Sequence, residues 1–139
     1  MSKKITYIPD LEDIPEGVCR RLMTVLQSCI GKHMAINRER INEILEKYDH
    51  VTLDDRALRR AVEKIRNQGI RVCDLENGDG LFIAETQDEY DHFKMRYASH
   101  AFSLIKTIRA MDDGISSDKL PNNFDDLVNG IKPMQISLF

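Results

Sequence analysis

The sequence predicts a mainly α-helical fold that carries a small β-hairpin, followed by a long helix and a flexible tail. Three observations predict it. Apolar residues recur at helical spacing through residues 14–30, 37–48 and 52–69. After Gly69 the period changes to alternation around an Asn-Gly turn, the signature of a hairpin. From residue 86 to 111, apolar positions again fall three or four apart, over more than six turns.

In chain order, residues 3–12 alternate around Pro9 and read as an extended arm, loosely held. The first helix is expected over 14–30. Val18, Leu22, Val25, Leu26, Cys29 and Ile30 form its stripe, with Pro15 in the first turn and Gly31 after the last apolar position. Residues 32–36 are too short for a helix and read as a strand stub. Asn37 can cap a second helix that buries Ile41, Ile44 and Leu45.

The third helix, 52–69, organises the rest. Thr52 or Asp54 can cap its start, Gly69 can end it, and Leu58, Ala61, Val62 and Ile65 make one buried stripe. From Arg56 onward, five cations, Arg56, Arg59, Arg60, Lys64 and Arg66, oppose the single Glu63. A helix apolar on one face and arginine-rich on the other suits a DNA groove, or is simply a solvated amphipathic helix. Ile70 and Val72 through Asp74, a turn at Asn77-Gly78-Asp79-Gly80, and 81–84 then make the hairpin. Thr86 with Glu89 three residues on is the mark of a capping box opening the long helix. Its stripe of Phe93, Tyr97, Ala101, Leu104, Ile108 and Met111 either seams a homodimer or folds back over the core.

Composition narrows the function. The net charge of −3 argues against a protein that coats nucleic acid indiscriminately, yet residues 32–74 hold ten of the twenty Lys and Arg. Cys19, Cys29 and Cys73 are odd in number and lack a C-x-x-C pair, which suggests buried reduced thiols rather than disulfides or zinc. With no apolar run of spanning length and no signal peptide, a cytoplasmic protein without membrane partners is expected. The pairs Asp112-Asp113 and Asp125-Asp126 are adjacent carboxylates in polar sequence. His33, His50, His92 and His100 are dispersed, and no phosphate loop or nucleophile elbow occurs. No enzymatic activity, metal or cofactor is expected.

A helix, a turn, a basic helix and a two-stranded hairpin, in that order, make a winged helix-turn-helix. Residues 33–84, with I-N-R-E-R-I-N-E-I, D-R-A-L-R-R-A-V-E-K-I-R-N-Q-G-I-R-V and G-D-G-L-F-I-A, resemble the winged-helix domains of phage-encoded replication and regulatory proteins. The resemblance implies binding of double-stranded DNA. Arg56, Arg59 and Arg60 would meet base edges or backbone, Lys64 and Arg38 phosphate, and Arg71 phosphate from the base of the wing. The sequence departs from the family at Asn37-Arg38-Glu39-Arg40 and at the acidic wing tip Glu76-Asn77-Gly78-Asp79.

Residues 112–134, rich in Gly, Ser, Asp, Asn and Pro, read as a mobile linker, within which Phe124, Leu127 and Val128 would form one short helix that packs or stays loose. The last five residues, Gln135, Ile136, Ser137, Leu138 and Phe139, resemble the peptide by which bacterial replication and repair proteins dock on the β sliding clamp. Leu138 and Phe139 would fill an apolar pocket and Gln135 would make oriented hydrogen bonds. The same residues would otherwise tuck against their own domain. The expected organisation is an arm (1–13), a winged-helix domain with its long fourth helix (14–111), a linker (112–134) and a clamp-binding peptide (135–139). The expected function is that of a replication accessory protein. The alternatives are a dimeric winged-helix repressor, or an interaction module that regulates the clamp or replisome without touching DNA.

Overall fold

A computed structural model describes residues 6, 7 and 14–131, and the chain divides into two compact units, Met1–Phe93 and Lys94–Phe139. The first begins with β1 (Thr6–Tyr7), which pairs in parallel with β2 (Val51–Thr52), Thr6 opposite Val51 and Tyr7 opposite Thr52. The arm is thus tied at these two residues, where a loose segment was expected. α1 (Glu16–Gln27) stops three residues short of its apolar stripe. Ser28 N donates to Val25 O at 3.1 Å and Cys29 N to Leu26 O at 2.9 Å, turning the chain so that Ile30 bridges Ile83 instead of extending the helix.

The expected strand stub at 32–36 is mostly a 3-10 turn, Lys32–Met34, because Gly31 takes a φ of +92° and accepts from Met34 N at 3.0 Å. Only Ile36 behaves as strand, exchanging two 2.8 Å backbone hydrogen bonds with Leu81. α2 (Arg38–Asp49) starts where expected, with Asn37 Oδ1 accepting from Arg40 N at 2.8 Å. It ends at His50, which is left-handed with φ 54°. α3 (Asp55–Arg66) is capped by Asp54, whose side chain accepts from Ala57 N at 2.8 Å. Between the two helices, Asn42 bonds both the N–H and the carbonyl of Leu53, each at 2.8 Å. That pair fixes the α2–α3 turn from within α2.

β3 (Val72–Asp74) and β4 (Leu81–Ile83) form the hairpin, with Cys73 opposite Phe82 and Gly78 at φ 74° in the turn. Strand alternation gives it two working faces. Val72, Leu81 and Ile83 join the main core, in which Val18, Leu22 and Leu26 of α1 meet Ile41 and Leu45 of α2 and the α3 stripe. Cys73 and Phe82 face the other way and meet Phe93 near the start of α4 (Gln87–Asp113). Phe93 is therefore core, 7% exposed, as the fold-back reading of the stripe expects at this position. All three cysteines are buried thiols that form no disulfide, and burial pushes the Cys19 thiol up.

α4 opens as a modified capping box. Glu89 N donates to Thr86 Oγ1 at 3.1 Å, but the Glu89 carboxylate accepts from Glu85 N at 2.9 Å and from Lys32 N at 3.0 Å. The amide of Lys32, and secondarily that of Glu85, holds the Glu89 carboxyl below the ordinary glutamate range of about 4.3. Such a group stabilises the fold above its unfolded pKa, and its contribution is lost as pH falls through its lower folded value. Glu89→Gln is accordingly expected to be less stable than the parent at pH 7, with the gap closing below about pH 4. Urea denaturation at both pH values measures it, and an equal gap at both would refute the linkage.

In the second unit the expected linker is folded across much of its described length. Ser117–Lys119 form a 3-10 turn, and α5 (Phe124–Asn129) is capped by Asn123, which accepts from Asp125 N at 2.9 Å and Asp126 N at 3.2 Å. Arg109 of α4 donates to the Asp126 and Leu127 carbonyls at 3.1 and 2.8 Å, and Leu127 is fully buried. The short helix read around Leu127 is thus present, and of its two expected states, packed or loose, it takes the packed one.

Candidate nucleic-acid interface

α3 presents the most cationic helical surface of the first unit. With Ala57, Leu58, Ala61, Val62 and Ile65 buried, the 3.6-residue period turns Arg56, Arg60, Glu63 and Asn67 outward in one row. Arg59 stands on one flank and Lys64 on the other. Three of the four cations in the first three turns are thus arginines on or beside the outward row.

The arginines are not equivalent. Arg59 is held by Asp55, one turn earlier, at 2.7 Å, so part of its charge is neutralised locally. Lys64 Nζ donates to Ile14 O at 3.4 Å, toward the start of α1, which sets it apart from the row. Arg66 lies against the hairpin. Its Nε donates to Val72 O at 2.8 Å, its guanidinium is 3.7 Å from the Asp74 carboxylate, and it sits 4.9 Å over the Phe93 ring. It braces α3 against the strands.

Arg38, the other phosphate candidate, opens onto a shallow depression lined by Glu39, Asn42, Glu43, Glu46, Thr52, Leu53 and Asp54. Four carboxylates surround one guanidinium there, and this part of the surface is acidic. Arg71 is exposed at the foot of the hairpin, stacked 4.1 Å from the Tyr90 ring centre and donating to Gln87 Oε1 at 3.0 Å. Two partners orient it without burying it. At the hairpin tip, Glu76 meets His92, which tethers the acidic turn to α4.

Sequence reasoning missed the bracing role of Arg66, the stacking of Arg71 on Tyr90 and the Glu89–Lys32 bond. The first two rest on partners 6 and 19 positions away, and the third on a separation of 57. No short-range pattern carries such pairings. Gln135, Ile136, Ser137, Leu138 and Phe139 lie outside the described residues.

Among the described residues no group of three His, Cys, Asp or Glu side chains is arranged to hold a metal ion, and no helix is long and apolar enough to cross a membrane. No family model, curated protein or solved structure matches this chain.

Proposed function

We propose that this chain is a winged helix-turn-helix DNA-binding protein of replication, with α3 as the inserted helix and residues 135–139 as the peptide that docks on the bacterial β sliding clamp. The observation that carries the DNA reading is the outward row of α3, in which Arg56 and Arg60 stand one turn apart directly opposite the buried stripe. Three further features support it. α2 and α3 are joined by a turn that Asn42 fixes, the hairpin follows α3, and Ile36 adds a third short strand beside β4. Guanidinium groups suit both guanine edges and phosphates, and a helix end that carries two of them gives the protein a register on the duplex.

The tail supplies the second contact. Gln135, Leu138 and Phe139 occupy the positions that the clamp-binding peptide requires. Two buried side chains offset little more than the ordering of the peptide, so the isolated contact belongs in the micromolar range. Simultaneous DNA binding raises it through effective concentration.

In fluorescence anisotropy at low salt, replacing Arg56 and Arg60 together by Ala is expected to weaken duplex binding about tenfold or more, with far-UV circular dichroism unchanged. Removing Leu138 and Phe139 is expected to abolish retention of purified clamp and leave duplex affinity alone. A parent protein that binds no duplex at low salt would overturn the DNA reading, and equal clamp retention by parent and truncation would overturn the docking reading. The acidic depression around Arg38 favours one competing reading, a protein-binding module that regulates the replisome without DNA. The absence of duplex binding together with retained clamp binding would select it.

A further inference from the structure

Arg20, Arg21, Arg40, Arg59, Arg66 and Arg109 each lie within 3.7 Å of a carboxylate. Arg71 is held differently. It forms no ion pair among the described residues, and its two partners, the Gln87 amide and the Tyr90 ring, are both neutral. The guanidinium therefore retains its whole charge toward solvent.

Each partner is itself fixed. Tyr90 packs on the cluster of Cys73, Phe82 and Phe93, which makes its ring a firm platform under the Arg71 guanidinium. Gln87 Nε2 donates to Asp91 Oδ1 at 2.8 Å. An ionised carboxylate only accepts, so Asp91 turns the Gln87 amide oxygen toward Arg71, where it receives Nη1–H at 3.0 Å. The Arg71 carbonyl accepts from Ala84 N at 3.1 Å, which ties its backbone into the hairpin. Two nearby carboxylates are engaged elsewhere, Glu89 on Lys32 N and Glu85 over Gly31. Nε and Nη2, which share one edge of the guanidinium, donate to nothing among the described residues, and the side chain is exposed.

We infer that Gln87 and Tyr90 are positioning residues for DNA, setting Arg71 as a pre-oriented clamp on a backbone phosphate at the foot of the hairpin. The inference rests on the DNA reading proposed above and extends the binding surface to the first turn of α4. Arg66 fastens Val72 to the last turn of α3, so Arg71 stands beyond the C-terminal end of the row that holds Arg56 and Arg60. Phosphates border a groove at such a place, and they fix the register of the inserted helix. The open Nε and Nη2 edge matches two phosphate oxygens. Holding the guanidinium between a ring and an amide removes in advance the rotamer freedom that a loose arginine loses on binding.

Fluorescence anisotropy of the full chain with a random-sequence duplex, repeated over a range of salt concentrations, tests it. Arg71→Ala is expected to weaken every duplex alike and to lower the salt slope by about 1. Gln87→Met, a change at an exposed position, is expected to cost about threefold at low salt with the slope retained, because the charge stays and only its orientation is lost. Tyr90→Leu is expected to show a similar loss, which Tyr90→Phe recovers. In an Arg71→Ala background, Gln87→Met is expected to cost nothing further. An equal cost in both backgrounds overturns the positioning role of Gln87, and a Tyr90→Phe protein as weak as Tyr90→Leu overturns the platform. An unchanged salt slope in Arg71→Ala overturns the phosphate clamp, while duplex binding by the parent leaves the DNA reading standing. A parent that binds no duplex overturns the DNA reading and this inference with it.

Discussion

Arg66→Ala is expected to destabilise the fold by about 2 to 3 kcal/mol while leaving duplex affinity nearly unchanged, the opposite of what a basic helix read from sequence suggests. The side chain is 19% exposed and donates to the Val72 carbonyl across the α3–hairpin junction. A hydrogen bond from a charged donor contributes more than a neutral one, and its loss leaves the acceptor of Val72, itself fully buried, without that donor. Asp74, 30% exposed, loses a countercharge 3.7 Å away, and Phe93 loses the guanidinium over its ring. Urea denaturation and anisotropy on the same preparation separate the two roles. A stable Arg66→Ala protein with an affinity loss like that of the Arg56 and Arg60 variant would place Arg66 at the DNA and refute the bracing role.

Ile65→Ala, one position earlier, is expected to cost about 2 to 5 kcal/mol and to lower the melting temperature by roughly 10 °C or more. Ile65 is fully buried in the main core, among α1, α2 and the hairpin residues Val72, Leu81 and Ile83. Its removal opens a cavity that close-packed neighbours fill only in part. Ile65→Val, which removes one methylene, is expected to cost about 0.5 to 1.5 kcal/mol. Calorimetry on the three proteins checks the order. Equal melting temperatures would mean that the stripe of α3 is not packed as described.

The contrast between residues 65 and 66 shows what was legible. Periodicity identified the buried stripe of α3, and local caps marked helix starts, Asn37 that of α2 and Asp54, one of two candidates beside Thr52, that of α3, because each bond closes within three residues. The hairpin was legible through Asn77-Gly78. Pairing over long separations was not. The β1–β2 ladder joins residues 45 apart and involves only two positions on each side, too few for any alternation to register. The 3-10 turn at Lys32–Met34 follows from the backbone of Gly31, a residue whose conformational freedom permits several outcomes.

For the candidate site, the outward row of Arg56 and Arg60 was visible in the helical period. The division of labour among the remaining cations was not. Arg59, Lys64 and Arg66 are all basic residues on one helix, and only their partners, Asp55, Ile14 and Val72, distinguish them. The acidity around Arg38 likewise comes from bringing Asp54 beside Glu39, Glu43 and Glu46.

The two-faced hairpin also governs how the chain acquires its structure as it is made. Synthesis proceeds from the N-terminus, so α1, α2 and α3 are complete before any residue of β4 has emerged. Their common core nevertheless takes in Val72, Leu81 and Ile83, and Ile30 and Ile36 find their bridge partners on β4. A nascent chain that has reached α3 therefore carries an open apolar wall and unpaired backbone at 30 and 36. Both are closed only once residue 83 has left the ribosome. The next ten residues then add Phe93 to the outer face of the same strands, so the commitment of the first unit to its fold coincides with the birth of α4.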